Sequence, residues 1–235
     1  MTVTPRIVIL SGAGISAESG LGTFRGENGL WKEFDVYTLA TPEAFARNPE
    51  RVHDFYNTRR RKLLESQPNA AHRAIAELEL NLPNVTIVTQ NVDNLHRKAG
   101  CLNVIHMHGE LLRSRCLNCG TISDCDADLT PASVCPCCLE SGSLRPHIVW
   151  FGEMPLRMDE IYTQLADCDI FIAIGTSGNV YPAAAFVEVA SSAGAHTVEL
   201  NLEPSESRGR FAECIYGPAT EVVPEFTDRL IRKYG

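Results

Sequence analysis

The sequence predicts an α/β fold: a doubly wound parallel sheet into which a smaller lobe is inserted. Three observations carry that prediction. Short apolar runs rich in β-branched residues recur at 6–10, 85–89, 104–108, 147–151, 170–174 and 196–200, the pattern of strands buried on both faces. Helical patterns at 71–80, 158–166 and 182–193 lie between several of them, which gives the βαβ rhythm of a parallel sheet. Two stretches break the rhythm. Residues from about 28 to 67 carry helical patterns with no strand run, and those from about 113 to 143 are rich in Cys, Ser, Asp and Pro with little apolar periodicity.

Length and composition bound the possibilities. A chain of 235 residues can bury a sizeable core but leaves no room for a second full domain. With 44% hydrophobic and 21% charged residues it is an ordinary globular protein. A net charge of −8 gives no general attraction to nucleic-acid phosphate, so no nucleic-acid partner is expected. No apolar stretch approaches bilayer length, and the opening MTVTPRIVIL has none of the parts of a secretory signal. The expectation is a cytoplasmic monomer with no membrane partner.

Taken in chain order, the first strand runs straight into Ser11-Gly12-Ala13-Gly14-Ile15-Ser16-Ala17. Such a small-residue turn lets backbone amides approach a pyrophosphate. Ala17 stands where the dehydrogenase fingerprint has its third glycine, and the acidic strand end expected about 20 residues on is missing from Gly29-Leu30-Trp31-Lys32-Glu33-Phe34-Asp35. Hydride transfer loses ground for that reason.

The segment 50–65 reads as a helix whose inward stripe is Val52, Phe55, Tyr56, Arg59 and Leu63. Arg60, Arg61 and Lys62 read as a solvated basic run. Arg59 interrupts the apolar stripe, and an inward guanidinium needs an anion. Tyr56 and Arg59, three apart, can aim a hydroxyl and a fork of donors at one carboxylate. The alternative is that Arg59 pairs with an internal Asp or Glu.

Polar residues follow three strand runs: Gln90, Asn91 and Asp93 after 85–89, Gly175, Thr176 and Ser177 after 170–174, and Asn201 after 196–200. Ligands of open parallel sheets bind at these carboxyl ends. In 104–108, alternation puts His106 and His108 on one face, but only His108 sits at the strand's end beside a glycine.

Six of the nine cysteines lie between Cys116 and Cys138. Cys116-Leu117-Asn118-Cys119 is followed after fifteen residues by Cys135-Pro136-Cys137-Cys138, two knuckles at the spacing of a tetrahedral zinc site. Four thiolates fill the shell, so the zinc is structural, one per chain. Cys125 and Cys137 are spare thiols; Cys137 competes with Cys138, and spacing favours Cys138. Cys101, Cys168 and Cys214 read as small buried apolar residues.

The ordered set of motifs resembles the sirtuin family. Gly12-Ala13-Gly14-Ile15-Ser16 continues into Gly20-Leu21-Gly22-Thr23-Phe24-Arg25-Gly26, followed by Thr89-Gln90-Asn91-Val92-Asp93-Asn94-Leu95-His96 and His108-Gly109. Then come the two cysteine pairs, Phe151-Gly152-Glu153, Gly175-Thr176-Ser177 and Asn201-Leu202-Glu203, all in the family's order. Nearly the whole chain is covered, and the later half is especially similar to the bacterial CobB-type deacylases.

The resemblance implies a single catalytic domain. Its Rossmann-like NAD-binding lobe would comprise 1–27, 68–112 and 144–235, and a small lobe would combine the helical module 28–67 with the zinc-binding module 113–143. It implies that Gly12, Ala13 and Ser16 line the phosphate turn, that Arg25 meets phosphate charge and that Phe24 covers the nicotinamide end. Gln90, Asn91 and Asp93 would hold the ribose and the nicotinamide amide. Gly175, Thr176, Ser177 and Asn201 would hold the adenosine half, with Thr23, Trp31, Leu202, Glu203 and Ala219 completing the cofactor set.

The implied reaction is NAD-dependent removal of acyl groups from protein lysines. The acyl carbonyl oxygen attacks C1′ of the nicotinamide ribose, nicotinamide leaves, and an alkylimidate remains. His108 is then the general base, with Asn91 the other catalytic residue, because an imidazole with a near-neutral pKa suits removal of a ribose hydroxyl proton. The products would be free lysine, nicotinamide and O-acyl-ADP-ribose. The substrate peptide would lie as an added strand between 150–153 and 178–181, touching Val149, Phe151, Gly152, Asn179 and Val180. Tyr56 and Arg59 match the Tyr-x-x-Arg pair of desuccinylase-like and demalonylase-like sirtuins, with acetyl removal also expected. Competing readings are a nicotinamide-dependent oxidoreductase, a non-catalytic zinc-ribbon module and a mono-ADP-ribosyl transferase.

Overall fold

The structure is a computed structural model that describes residues 4–23 and 35–235. Its main sheet is built from β1 (Ile7–Ser11), β2 (Val85–Thr89), β3 (Val104–His106), β7 (Ile170–Ile174), β8 (His196–Asn201) and β9 (Glu213–Tyr216). The order is β3-β2-β1-β7-β8-β9, and every pairing is parallel. The chain winds outward from β1 in one direction and, after β7, in the other, so β1 and β7 flank the point where strand order reverses. Register places Ser11 beside both Thr89 and Ile174. The loops that open with Gly12, Gln90 and Gly175 therefore leave the sheet side by side, where ligands of such sheets bind.

Strand alternation sorts the core onto two faces. Ile7, Ile9, Ile87 and Ile172 pack on Ile75 and Leu78 of helix α4 (Ala70–Asn81) and on Val223 and Phe226 of helix α8 (Ala219–Tyr234). Val8, Leu10, Val88, Phe171 and Ala173 pack on Ile161 and Leu165 of α6 (Met158–Asp167) and on Phe186 and Ala190 of α7 (Phe186–Ser192). Burial on both faces explains why these strands read as continuous apolar runs.

A separate antiparallel sheet, ordered β5-β4-β6, is formed by β4 (Gly109–Cys116), β5 (Ile122–Asp124) and β6 (Leu144–Ile148). The run expected as a parallel strand at 147–151 is in fact the end of β6 and the loop after it. Its apolar residues Ile148 and Trp150 pack with Ala44, Phe45 and Tyr56 of the helical segment, not with the large sheet. The expected strand 104–108 stops at His106, because Gly109 takes φ +79° and its missing Cβ leaves room for the His147 carbonyl. The expected helix 182–193 is a 3₁₀ turn, Ala183–Ala185, followed by α7. Helix α8 holds Pro224 in its interior, where a proline removes one backbone hydrogen bond.

Among the described residues, the short helices α1 (Gly14–Ala17), α2 (Pro42–Arg47) and α5 (Leu95–Ala99) accompany α3 (Pro49–Glu65). Helix α3 is capped by Asn48, whose side chain accepts from the Arg51 amide, with Pro49 in the first turn. Its buried face is Val52, His53, Tyr56, Asn57, Arg60 and Leu63. Phe55 and Arg59 are half-buried at its edge. Arg60 is a correction: it is 0% exposed rather than solvated. Its Nε donates to the Leu111 carbonyl at 3.2 Å and its Nη1 to Asn57 Oδ1 at 2.6 Å. Cys214 is likewise exposed, not buried, whereas Cys101 and Cys168 are buried.

Candidate active site and metal centre

The first loop is held by backbone. Gly12 N–H donates to the Ile174 carbonyl and Gly14 N–H to the Gly175 carbonyl, at 2.9 and 3.0 Å. A Cβ on Gly12 would stand 2.6 Å from the Gly175 oxygen, and one on Gly175, where φ is +61°, would stand 2.5 Å from the Ile15 nitrogen. Only glycine lets the two strand-end loops approach this closely. Beneath them lies a buried polar network. Asn91 Nδ2 donates to the Gly12 carbonyl at 3.0 Å and to Ser16 Oγ at 3.3 Å, and Ser16 Oγ donates to Asp93 Oδ2 at 2.9 Å. Asn69 Nδ2 reaches the Ile15 carbonyl at 2.7 Å. Burial pushes the Asp93 carboxyl above its ordinary range.

A cavity of about 1120 Å³ runs across these strand ends. Ligand pockets are usually roughly 300–1,000 Å³, so there is room for a dinucleotide and an arm of a second substrate. Gly12, Ala13, Thr23, Gln90 and Asn91 line it on one side; Gly175, Thr176, Ser177, Asn201, Leu202, Glu203 and Ala219 line it on the other. Ser16 and Asp93 line an adjoining cavity of about 490 Å³, which shares Ala13, Asn91, Phe55 and Arg59 with the larger one. Phe24, Arg25 and Trp31 lie outside the described residues.

His108 enters the same large cavity from the turn after β3. Its Nδ1 stands 2.9 Å from the Gln90 carbonyl. A carbonyl can only accept, so Nδ1 carries the hydrogen and Nε2 keeps a lone pair. Burial holds its pKa below the usual imidazole range. His106 lines neither cavity, and its Nε2 stands 3.9 Å from a Glu110 carboxylate oxygen.

Tyr56, Arg59, Val149, Phe151, Gly152, Asn179 and Val180 also line the large cavity. Burial pushes the Tyr56 phenol up to about 12, and its oxygen accepts from Trp150 Nε1 at 2.9 Å.

Four sulfurs form the second centre. Sγ atoms of Cys116, Cys119, Cys135 and Cys138 lie within 4.8 Å of one another, and the Cys116–Cys138 and Cys119–Cys135 pairs are each 3.7 Å apart. A Zn–S bond of about 2.3 Å in a regular tetrahedron requires sulfurs about 3.8 Å apart, so the donor set fits one zinc ion. Each knuckle is followed by a left-handed residue, Gly120 at φ +73° and Leu139 at φ +62°. Cys137 is exposed and stands outside the group.

Residues 12–182 match the Sir2 family. The chain belongs to that family, the sirtuins. It is 60% identical over 231 residues to the NAD-dependent protein deacylase of Escherichia coli strain K12, covering 97% of this chain and 83% of that one. It is 61% identical over 229 residues to the NAD-dependent protein deacylase of Pasteurella multocida strain Pm70, covering 96% and 98%. A solved Sir2 homologue mutant in complex with ADP-ribose superimposes with a TM-score of 0.90 at 39% identity, over 97% of this chain and 92% of that one. A Sir2 homologue–NAD complex superimposes with a TM-score of 0.88 at 38% identity, over 97% and 90%.

In this sirtuin two arginines are buried where the sequence gives no sign of it. Arg145 carries its guanidinium 3.3 Å over the Trp150 ring and binds both oxygens of Glu153, at 2.6 and 2.9 Å. Arg60 is the other. Arg145 stands alone in its stretch and Arg60 within a basic run, and neither position carries a local signal of burial.

Proposed function

We propose that this sirtuin is an NAD-dependent protein-lysine deacylase that yields nicotinamide, O-acyl-ADP-ribose and free lysine. The observation that carries the proposal is His108, a neutral imidazole with Nε2 free of hydrogen, in one cavity with the glycine turn and the strand-end polar residues. NAD, when bound, supplies the electrophilic ribose carbon that the acyl oxygen attacks. The chain's own residues do the rest. Gly12, Ala13 and Ser16 cradle phosphate, and Gln90, Asn91 and Asp93 position the nicotinamide ribose. Gly175, Thr176, Ser177 and Asn201 hold the adenosine half. His108 Nε2 takes the ribose hydroxyl proton, while the Gln90 carbonyl keeps the ring in the tautomer that can do so. Four cysteines hold one structural zinc.

Acidic acyl groups are the preferred cargo, succinyl and malonyl ahead of acetyl. Arg59 and Tyr56 stand three apart on α3 and line the cavity together, a cation and a hydroxyl donor suited to one carboxylate. The substrates are lysines of proteins rather than nucleic acids, in keeping with the net charge of −8. The protein acts as a monomer in the cytoplasm, with the described part of 28–67 and with 113–143 forming the small lobe. The test is His108→Ala. NAD-dependent lysine release should fall by about 10²-fold or more, with zinc content and thermal melting retained. Full activity in that variant would overturn the proposal.

A further inference from the structure

The Tyr56 hydroxyl has one hydrogen and two lone pairs to place. Trp150 Nε1, which can only donate, already occupies one lone pair at 2.9 Å. Tyr56 is 5% exposed, and among the described residues its hydroxyl has no other hydrogen-bond partner. Its hydrogen is thus left for something in the cavity that both residues line. The phenol remains protonated at working pH, since burial pushes it up to about 12.

Trp150 cannot easily turn away. It is 2% exposed, its backbone N–H donates to Glu153 Oε2 at 2.8 Å, and its ring neighbours the Phe45 ring, 5.4 Å away, and the Arg145 guanidinium, 3.3 Å away. Arg145 is in turn tied to both oxygens of Glu153 and to the Ile148 carbonyl. This clamp fixes the indole, the indole fixes the phenol, and Arg59 supplies further donors one turn along α3.

We infer that Trp150 is a positioning residue for acyl specificity: its indole N–H occupies the Tyr56 oxygen and so commits the Tyr56 hydroxyl hydrogen to an acidic acyl group in the cavity. The inference rests on the proposal that Tyr56 and Arg59 receive the acyl carboxylate. An acetyl group offers no acceptor at that end, so the arrangement raises affinity for carboxylate-bearing chains alone.

The experiment compares kcat and KM for matched succinyl- and acetyl-lysine peptides in wild type, Trp150→Phe, Tyr56→Phe, the double variant and Arg59→Met. Trp150→Phe keeps an aromatic ring and removes the donor. The succinyl-to-acetyl ratio of kcat/KM should fall about tenfold, the size of a hydrogen bond that supports a charged partner, with the loss residing in KM for the succinyl peptide. Trp150→Phe should add nothing to the selectivity loss of Tyr56→Phe, because both break the same contact. Equal losses on the two peptides, or losses that add, would overturn the inference. If Trp150→Phe fails to fold, 3-benzothienylalanine at position 150 removes only the N–H, and an unchanged ratio there has the same meaning. Arg59→Met separates the two levels. A selective succinyl loss in Arg59→Met with an unchanged ratio in Trp150→Phe refutes the role of Trp150 alone; equal losses in Arg59→Met refute acidic-acyl recognition and the inference with it.

Discussion

His108 carries its hydrogen on Nδ1 because the atom beside that nitrogen is a carbonyl oxygen, 2.9 Å away. Burial disfavours its charged form and lowers its pKa from 6.5. A base must be unprotonated to act, so acid inactivates it only once the pH passes below that lowered value. The expected profile of kcat/KM is flat from pH 8 to about 6.5 and falls beneath it, with the limb set by this imidazole. A limb at or above pH 7 would show that a different group controls the reaction. Arg60 makes a contrasting point at the same scale. Its run with Arg61 and Lys62 reads as solvated charge, yet its burial depends on Leu111, 51 positions away, and on Asn57, which itself bonds Leu129 across 72 positions. Partners that distant leave no mark in a local window.

At the scale of elements, the β1 and β7 loops meet backbone to backbone, and Gly175 is the tightest point. A methyl there clashes with the Ile15 nitrogen and forces φ +61° on a residue with a side chain. Gly175→Ala should cost about 1–3 kcal/mol and lower the melting temperature by roughly 3–10 °C, with weakened NAD binding by calorimetry; unchanged melting would contradict the packing described. The cysteine module is a second element with a clean readout. Elemental analysis should find one zinc per chain, lost in Cys138→Ser and kept in Cys137→Ser, and the reverse pattern would exchange the two ligands. The C-x-x-C spacing made this element legible, as did β-branched runs for the strands of the parallel sheet. Strand β4 was not legible: Arg113 and Arg115 interrupt it, since one face of an antiparallel sheet can stay wet. The run at 147–151 reads as a strand of the parallel sheet yet lies at the end of β6, because an apolar stretch says that it is covered, not by what. The stripe of α3 predicts Arg59 inward where Arg60 is the fully buried arginine, as that helix is covered both by the loop at Leu129 and by the strand at Leu111.

Across the whole molecule, six histidines are held below their ordinary pKa chiefly by burial, His53 and His72 down to about 4. The unfolded chain binds protons at these sites near 6.5, and the folded chain resists them until lower pH. The stability tied to these neutral histidines is present above about pH 6.5 and is lost as the pH falls toward the lowered values. Asp93, pushed upward, works in the opposite direction as a single group. Melting temperature should therefore drop between pH 7 and pH 5, and a flat or rising curve would contradict the burial of these rings. The same compactness gathers the strand-end loops, α3 and the 149–153 loop around one cavity, which is why the ordered motifs, weak singly, gain force together. Incubating the protein with NAD and matched acetyl-, succinyl- and malonyl-lysine peptides, and quantifying nicotinamide and free lysine side by side, tests that account most directly. It predicts equal amounts of the two products, no NADH absorbance and faster release from the succinyl and malonyl peptides. Lysine release without NAD, or NADH formation, would contradict it.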